Sequence, residues 1–397
     1  MMGDQRVGEI DGLRGWAALS VVVFHMLQQT FAGIMPGVCI NSIWILMDGP
    51  MAVYIFFILS GDAISWSHIS NPIRHALDRV IAKRYLRLTI PVLITVLFTY
   101  GLMKTGHVYN QPASQIVHRH DWLGMFLVFP ADIMDALNYA FTLVVGSYRG
   151  QHIWNDFLWT MPVEMYGSLL VFGYLHFIHR LRWPAWTSLG IFVGFSCLNA
   201  YYGLFFLGVF FGQMRAAGIL ERLRRHYAGW LAGAALLCGA YCFEYFAHRY
   251  APPKPGVPGF GPFIEWAVYY HRQHIMAVMI VAGSYVFTPA IWLLRSFVSR
   301  SLGRVSFAIY LAQFPLICSV ESYLIIRYQD HLTSMNWVLA LAGMSVLSAL
   351  VVAEVITRLD NFVLGWISAG LNLLFMPKAA AAPATIRAAA TVDLPAE

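Results

Sequence analysis

Charge is scarce in this chain. Only 12% of its 397 residues are Asp, Glu, Lys or Arg, while 59% are hydrophobic, against roughly 25% charged in an ordinary soluble domain. That excludes a conventional soluble enzyme, and the abundance of aromatics, 13 Trp, 20 Tyr and 27 Phe, fits a protein solvated largely by lipid. Cysteine pairing is lacking too. Cys39, Cys197, Cys238, Cys242 and Cys318 show no paired metal-ligand spacing, and most lie in apolar runs where the thiol packs as a small hydrophobe. Neither a metal site nor a disulfide framework is expected. No internal repeat is evident, which weighs against an inverted-repeat transporter. The first apolar segment has no small-residue cleavage site before the next span, so it reads as a retained helix.

What is present is a succession of long apolar runs, at about 10–30, 43–66, 85–105, 157–177, 186–200, 203–217, 228–247, 273–294, 305–326 and 336–357. At roughly 20 residues per crossing, they predict an all-α, multi-pass bundle of about ten transmembrane helices in a cell membrane. Residues 1–376 form the membrane domain, and the Ala-rich 377–397 a disordered tail. The fifth and sixth runs are short and share a turn near Asn199 to Tyr202, so a re-entrant pair competes there. The net charge of +6 does not point to nucleic acid, because the basic residues sit in short runs between apolar segments. With the N-terminus inside, 19 of the 26 Lys and Arg fall on one side, so both termini are expected in the cytoplasm. Of two long outer connections, 106–156 contains an apolar stretch, Trp122 to Pro130, too short to span, and 248–272 is Pro- and Gly-rich.

Ionisable residues within the apolar runs sort by depth into two layers. Arg14 and His25 lie on one helix eleven residues apart, about three turns and roughly 16 Å along one face. The inner layer is basic: Arg14, with Arg84 and Arg87 sharing a face at i, i+3. Such a cluster offers forked donors to phosphates, although basic residues at inner helix ends also serve as topology signals or lipid anchors. Asp62 and Glu354 reach the same level and are expected to pair with those arginines. The outer layer holds His25 and Glu164, where the carboxylate would fix the imidazole tautomer while the free nitrogen takes a proton from a hydroxyl. The competing reading is interhelical hydrogen bonding, which also applies to Tyr310 and Gln313.

Five motifs occur in order: Ile10-Asp-Gly-Leu-Arg14-Gly with His25; Ile55-Phe-Phe-Ile-Leu-Ser60-Gly61; Arg84-Tyr-Leu-Arg87-Leu with Pro91; Leu158-Trp159 to Glu164; and Ser306-Phe-Ala-Ile-Tyr310-Leu with Pro315. Together they resemble the membrane acyltransferase 3 family across nearly the whole chain. The resemblance implies a ten-span protein that moves an acyl group, commonly acetyl from acetyl-CoA, onto a hydroxyl of a sugar or other acceptor. It also implies functional roles for Arg14, His25, Arg84 and Arg87. Two positions depart from the family: Asp62 stands where an aromatic is common, and Gln313 where a His is frequent.

The resulting expectation is an integral-membrane O-acyltransferase. Arg14, Arg84 and Arg87 would hold the acyl-CoA donor, His25, Glu164 and Arg14 would serve the chemistry, and a carbohydrate or related hydroxyl compound would be the acceptor. His118, Arg119, His120 and Asp121 in the first outer connection suit a glycan. The rival class is a transporter that uses the same polar column as a permeation path; a scaffold for envelope assembly is a third.

Overall fold

The computed structural model describes residues 8–39, 47–70, 74–146, 152–198, 201–247 and 260–374. The tail expected at 377–397 lies outside them, as does most of the Pro-rich part of the second outer connection.

Every regular element among the described residues is helical. Helix α1 (Gly8–Val23) runs into a π-helical turn, Phe24–Gln29. Then come α2 (Gly49–Ser70), α3 (Arg74–Lys104), α4 (Asn110–Ile116), α5 (Ile133–Thr142), α6 (Thr160–Phe177), α7 (Pro184–Cys197), α8 (Tyr202–Ala216), α9 (Ile219–Arg225), α10 (Tyr227–Ala247), α11 (Phe260–Val286) and α12 (Thr288–Leu294). Helix α13 (Phe297–Leu316) passes through a second π-helical turn, Ile317–Glu321, into α14 (Ser322–Arg327), and α15 (Met335–Leu374) ends the described chain.

Five helices among the described residues are long and apolar enough to cross a membrane, and seven qualify if α8 with α9 and α11 with α12 each count as one bent span. The expected ten also include α6, α7 and α10. Helix α7 has 14 residues, about 21 Å of helix against a hydrocarbon core of about 30 Å. The bends are sharp, 71° between α8 and α9 and 92° between α11 and α12, so α9 and α12 turn off the axes of the helices before them.

Two close helix pairs form the centre, α2 with α8 and α1 with α13. With lipid outside, helix association rests on backbone approach rather than on water exclusion, and glycines of the sequence motifs permit that approach. A Cβ on Gly61 would sit 1.9 Å from the Phe205 carbonyl oxygen, and one on Gly15 2.5 Å from the Gly303 nitrogen. The Gly of Leu-Ser-Gly and the second Gly of Asp-Gly-Leu-Arg-Gly are therefore packing requirements.

Arg215, Arg224, Arg295, Arg304 and Arg358, which charge counting assigns to one side, meet carboxylates toward one end of the bundle. Glu9 accepts from Arg224 and Arg295, each at 2.8 Å. Asp62 accepts both terminal nitrogens of Arg215, at 2.8 and 2.7 Å, and the Tyr285 hydroxyl. Glu354 pairs with Arg304 and Arg358, at 2.8 and 2.9 Å. Asp62 and Glu354 are thus neutralised by arginines, but not by Arg14, Arg84 or Arg87 as expected. Helix α8 delivers Arg215 directly onto α2, so Asp62 is met across the tightest helix contact.

At the opposite end, α4, α5 and the turns between them form a cap. Asn110 donates to the carbonyls of Leu123 and Phe126, at 3.0 and 2.8 Å, and Arg119 donates to the Gln29 carbonyl at the end of the first π turn. The apolar stretch from Trp122 crosses nothing: its Leu123 and Phe126 are buried beneath this cap. Arg119 also pairs with Asp121 at 3.1 Å, so one member of the group read as glycan-compatible is engaged in holding the cap to α1.

Candidate active site

The site occupies the column between these two ends. His25 lies in the first π turn, and the Thr30 hydroxyl donates to its backbone carbonyl at 2.9 Å. The wider π ring leaves carbonyls without their usual α partners, and such single turns are frequent at functional sites. The His25 ring is stacked on Phe157, with centroids 4.0 Å apart and planes 11° apart, and Trp122 of the cap lies 6.2 Å away on a near-parallel plane.

Phe157 is held from several directions. Asn155 caps its amide at 3.1 Å, opening the 3-10 turn Asp156–Trp159. The Tyr310 hydroxyl donates to the Phe157 carbonyl and lies 2.9 Å from the Thr160 hydroxyl. Tyr310, taken from sequence as cavity polar group or interhelical glue, fixes the turn whose ring supports the imidazole.

His25 Nδ1 lies 3.0 Å from Gln313 Oε1. The amide nitrogen of Gln313 donates to the Tyr310 carbonyl at 3.0 Å, and that bond decides which end of the amide faces the ring, since an NH2 group can only donate. Oε1 therefore accepts from His25, Nδ1 carries the proton, and Nε2 holds the lone pair of the neutral ring. The residue that departs from the family pattern is the one that sets the tautomer.

Glu164 does not do so. Its carboxylate accepts from Arg84 Nη2 at 2.7 Å and from the Ser60 hydroxyl at 2.8 and 2.9 Å, while Arg84 Nε donates to Ser168 at 3.0 Å. The expected His25–Glu164 pair is replaced by Arg84–Glu164. Depth along each helix placed them in separate layers, but Arg84 lies ten residues into α3 and its long side chain closes the gap between layers. The Ser of the Leu-Ser-Gly motif is a ligand of this carboxylate.

The structure does bring the predicted basic residues together. Arg14 and Arg87 both lie close enough to Arg84 to repel it electrostatically, while Arg84 itself bonds to Glu164. Arg84 is largely enclosed, with 16% of its side chain exposed, whereas Arg87 is exposed and faces Asp360 of α15. Three neighbouring arginines, one paired with Glu164 and one facing Asp360, offer forked donors that suit an anion.

Sequence reasoning missed Glu321. It lies in the second π turn, is 1% exposed, and neither carboxylate oxygen has a hydrogen-bond partner among the described residues. The Thr30 side chain, bonded to His25, lies beside it. The residue that follows the imidazole-bearing π turn thus sits beside the enclosed acid of the second. The signal was in the sequence, since an acidic residue inside an apolar run is a functional candidate by default.

With this geometry in place, comparison with known proteins gives the family. The sequence pattern of a family described as an acyltransferase domain, acyltransferase 3, matches residues 7–354. The chain is also similar to the O-acetyltransferase PaAT-1 of Phomopsis amygdali, 27% identical over 236 residues, covering 52% of this chain and 47% of that protein. It thus spans about half the length of this curated relative. No solved structure matches. The family match runs from the residue before α1 into the middle of α15 and takes in His25, the arginine cluster and both π turns; this chain belongs to the acyltransferase 3 family.

Proposed function

We propose that this acyltransferase moves an acetyl group from acetyl-CoA to a hydroxyl of a carbohydrate or related acceptor. The observation that carries the reading is the column itself. Arg14 and His25 sit on one continuous helical run, the first within electrostatic reach of Arg84 and the second with its Nε2 lone pair available among the described residues. Arg14, Arg84 and Arg87 suit the phosphates of a CoA donor, and the path from them toward His25 suits an extended thioester arm. Cytoplasmic termini and ten spans complete the proposal, since they put the arginine end on the side where CoA is available.

In the proposed step, His25 Nε2 takes the proton of the acceptor hydroxyl as its oxygen attacks the thioester carbonyl. The carbon–sulfur bond breaks, and the imidazolium returns the proton to the departing thiolate, leaving an ester, free CoA and a neutral ring. Gln313 holds the imidazole in the tautomer this requires. An alternative order passes the acetyl group through His25 itself before the hydroxyl attacks.

Purified protein supplied with acetyl-CoA and acceptor should release free CoA, and His25→Gln should lower that rate by about 10² to 10⁴, the usual contribution of a general base, with protein yield unchanged. Near-normal transfer in His25→Gln would make His25 a packing residue. A transporter lined by the same column would bind without releasing CoA.

A further inference from the structure

Arg119 does more than attach the cap. Its Nη1 donates to the Gln29 backbone carbonyl, at the end of the π turn that bears His25, and its Nη2 lies 3.5 Å from the amide oxygen of the same glutamine. The guanidinium also lies over the Trp122 indole, 5.5 Å from the ring centroid. Its backbone carbonyl accepts from the amides of Trp122 and Gly124, at 3.3 and 3.2 Å. One residue therefore holds the His25 turn with its side chain and the Trp122 turn with side chain and backbone together. Only 14% of that side chain is exposed, although it stands in a loop.

Trp122 lies 6.2 Å from both His25 and Phe157 and nearly parallel to each, while Phe126 meets Trp122, Phe157 and Phe314. Rings of the cap thus flank the stacked pair along one edge. The segment that carries them is held under constraint. His118 and Leu127, on either side of it, have φ of 53° and 55° and are the two non-glycine residues in the left-handed region among the described residues. Such a backbone persists only where the surrounding contacts impose it. Gly33, just past the end of the first helical run, leaves room for this segment: a Cβ there would run into the carbonyl oxygens of Val117 and His118.

A base that activates an acceptor hydroxyl also activates water, so a transferase must keep water from that base while the donor is bound. We infer that Arg119 is a positioning residue that holds Trp122 against the His25 and Phe157 rings and thereby suppresses hydrolysis of the acyl donor. With this hold removed, His25 Nε2 takes a proton from water as the water oxygen attacks the thioester carbonyl. The carbon–sulfur bond breaks and the proton passes to the departing thiolate, giving acetic acid and free CoA. The inference rests on the acyl-transfer reading for the reaction it protects, but access to the His25 ring is measured apart from that reaction.

Diethylpyrocarbonate, which acylates neutral imidazole, reads that access on the full protein in detergent through the mass of the peptide carrying His25. Arg119→Ala should raise the modification rate of His25 about tenfold, as expected when local opening loses one charged hydrogen bond. Gly33→Ala, which pushes the cap away with Arg119 intact, should raise it as well, and Arg119→Lys should lie between wild type and Arg119→Ala because a single donor replaces the fork. Without acceptor, wild type should release little CoA from acetyl-CoA, whereas Arg119→Ala and Gly33→Ala should release more and divert turnover from transfer to hydrolysis. Simple loss of folded protein would instead lower both rates together. Unchanged His25 modification in Arg119→Ala and Gly33→Ala would overturn the inference, and so would greater access with transfer intact and no added hydrolysis. Greater access without CoA release by any form of the protein, with or without acceptor, would leave the hold on His25 standing and overturn the acyl-transfer reading instead.

Discussion

The Nδ1 nitrogen of His25 and the Oε1 oxygen of Gln313 are 3.0 Å apart, joining the first π turn to α13 at the one ring atom that must keep its proton if Nε2 is to act as a base. Because Gln313 also donates to the Tyr310 carbonyl, the amide cannot flip without losing both bonds. Gln313→Leu removes the acceptor and should lower turnover roughly tenfold or more, the kinetic equivalent of about 1.4 kcal/mol for one lost hydrogen bond. Gln313→Glu, which still accepts from Nδ1 but loses the donor to the Tyr310 carbonyl, should recover only part of it. Steady-state rates at saturating acetyl-CoA would check this; unchanged turnover in Gln313→Leu would remove Gln313 from any positioning role.

Arg84 and Arg87 should separate by assay. Arg84 and Glu164 are 16% and 12% exposed, so Arg84→Ala strands an enclosed carboxylate and should cost stability toward the lower end of the about 3–5 kcal/mol seen for broken buried pairs. Arg87 is exposed, and Arg87→Ala should leave thermal stability nearly unchanged while weakening acetyl-CoA binding by about 1.5–3 kcal/mol. Arg87→Lys should restore binding only in part, because the forked geometry is lost. Melting temperature and donor affinity measured on the same preparations give both readouts. Equal destabilisation by the two alanine variants would contradict the division.

Two glycines offer a packing test. Gly61→Ala drives a methyl group into the Phe205 carbonyl, whereas a Cβ on Gly101 in α3 meets nothing within 4 Å. Gly61→Ala should destabilise by at least the 1–3 kcal/mol typical of overpacking, as α2 and α8 are forced apart. Gly101→Ala should be neutral or slightly stabilising, since alanine gives up less backbone freedom in a helix. Thermal unfolding in detergent of the two variants beside wild type would show the contrast.

Orientation can be read directly. Thr105 at the end of α3 and Ala217 between α8 and α9 are both exposed and lie at opposite ends of the bundle. In a background with the native cysteines replaced, Thr105→Cys should react with a membrane-impermeant thiol reagent in intact cells, and Ala217→Cys only after permeabilisation. Labelling of both from the same side would break the proposed topology.

The sequence marked which polar residues lie inside the bundle more reliably than it marked their partners. Arg14, Arg84 and Arg87 were legible because arginines in apolar helices are costly and stand out, and Arg14 and Arg87 lie within electrostatic reach of Arg84. Glu164 was legible as an ionisable residue inside the bundle but assigned to His25 rather than to Arg84, because counting residues along each helix gives depth without rotation or side-chain reach. The same ambiguity gave Asp62 the wrong arginine. Gln313 read as the loss of a second histidine, whereas its amide supplies the acceptor for His25 Nδ1. Phe157 and Trp122 carried no signal at all, since their positions against His25 depend on a capped 3-10 turn and a cap folded back over α1. The alternation of apolar runs and basic loops was legible throughout, and the counted spans differ from ten where helices are short or bent.

The two π turns limit how this chain can vary in length. Each turn contains one residue more than an α-helix would need, and each residue advances a helix by about 100°. Deleting one residue between Phe24 and Gln29 would restore a regular helix but swing Thr30 and Phe31 a quarter-turn or more around the axis. Thr30 would leave Glu321, and Gln29 would leave the Arg119 that anchors the cap. A compensating deletion in Ile317–Glu321 could not repair this, because it would rotate α14 and not the end of α1. Point substitutions around His25 are therefore open to gradual change, while the residue count from Arg14 to Thr30 is fixed by the register of the helix itself.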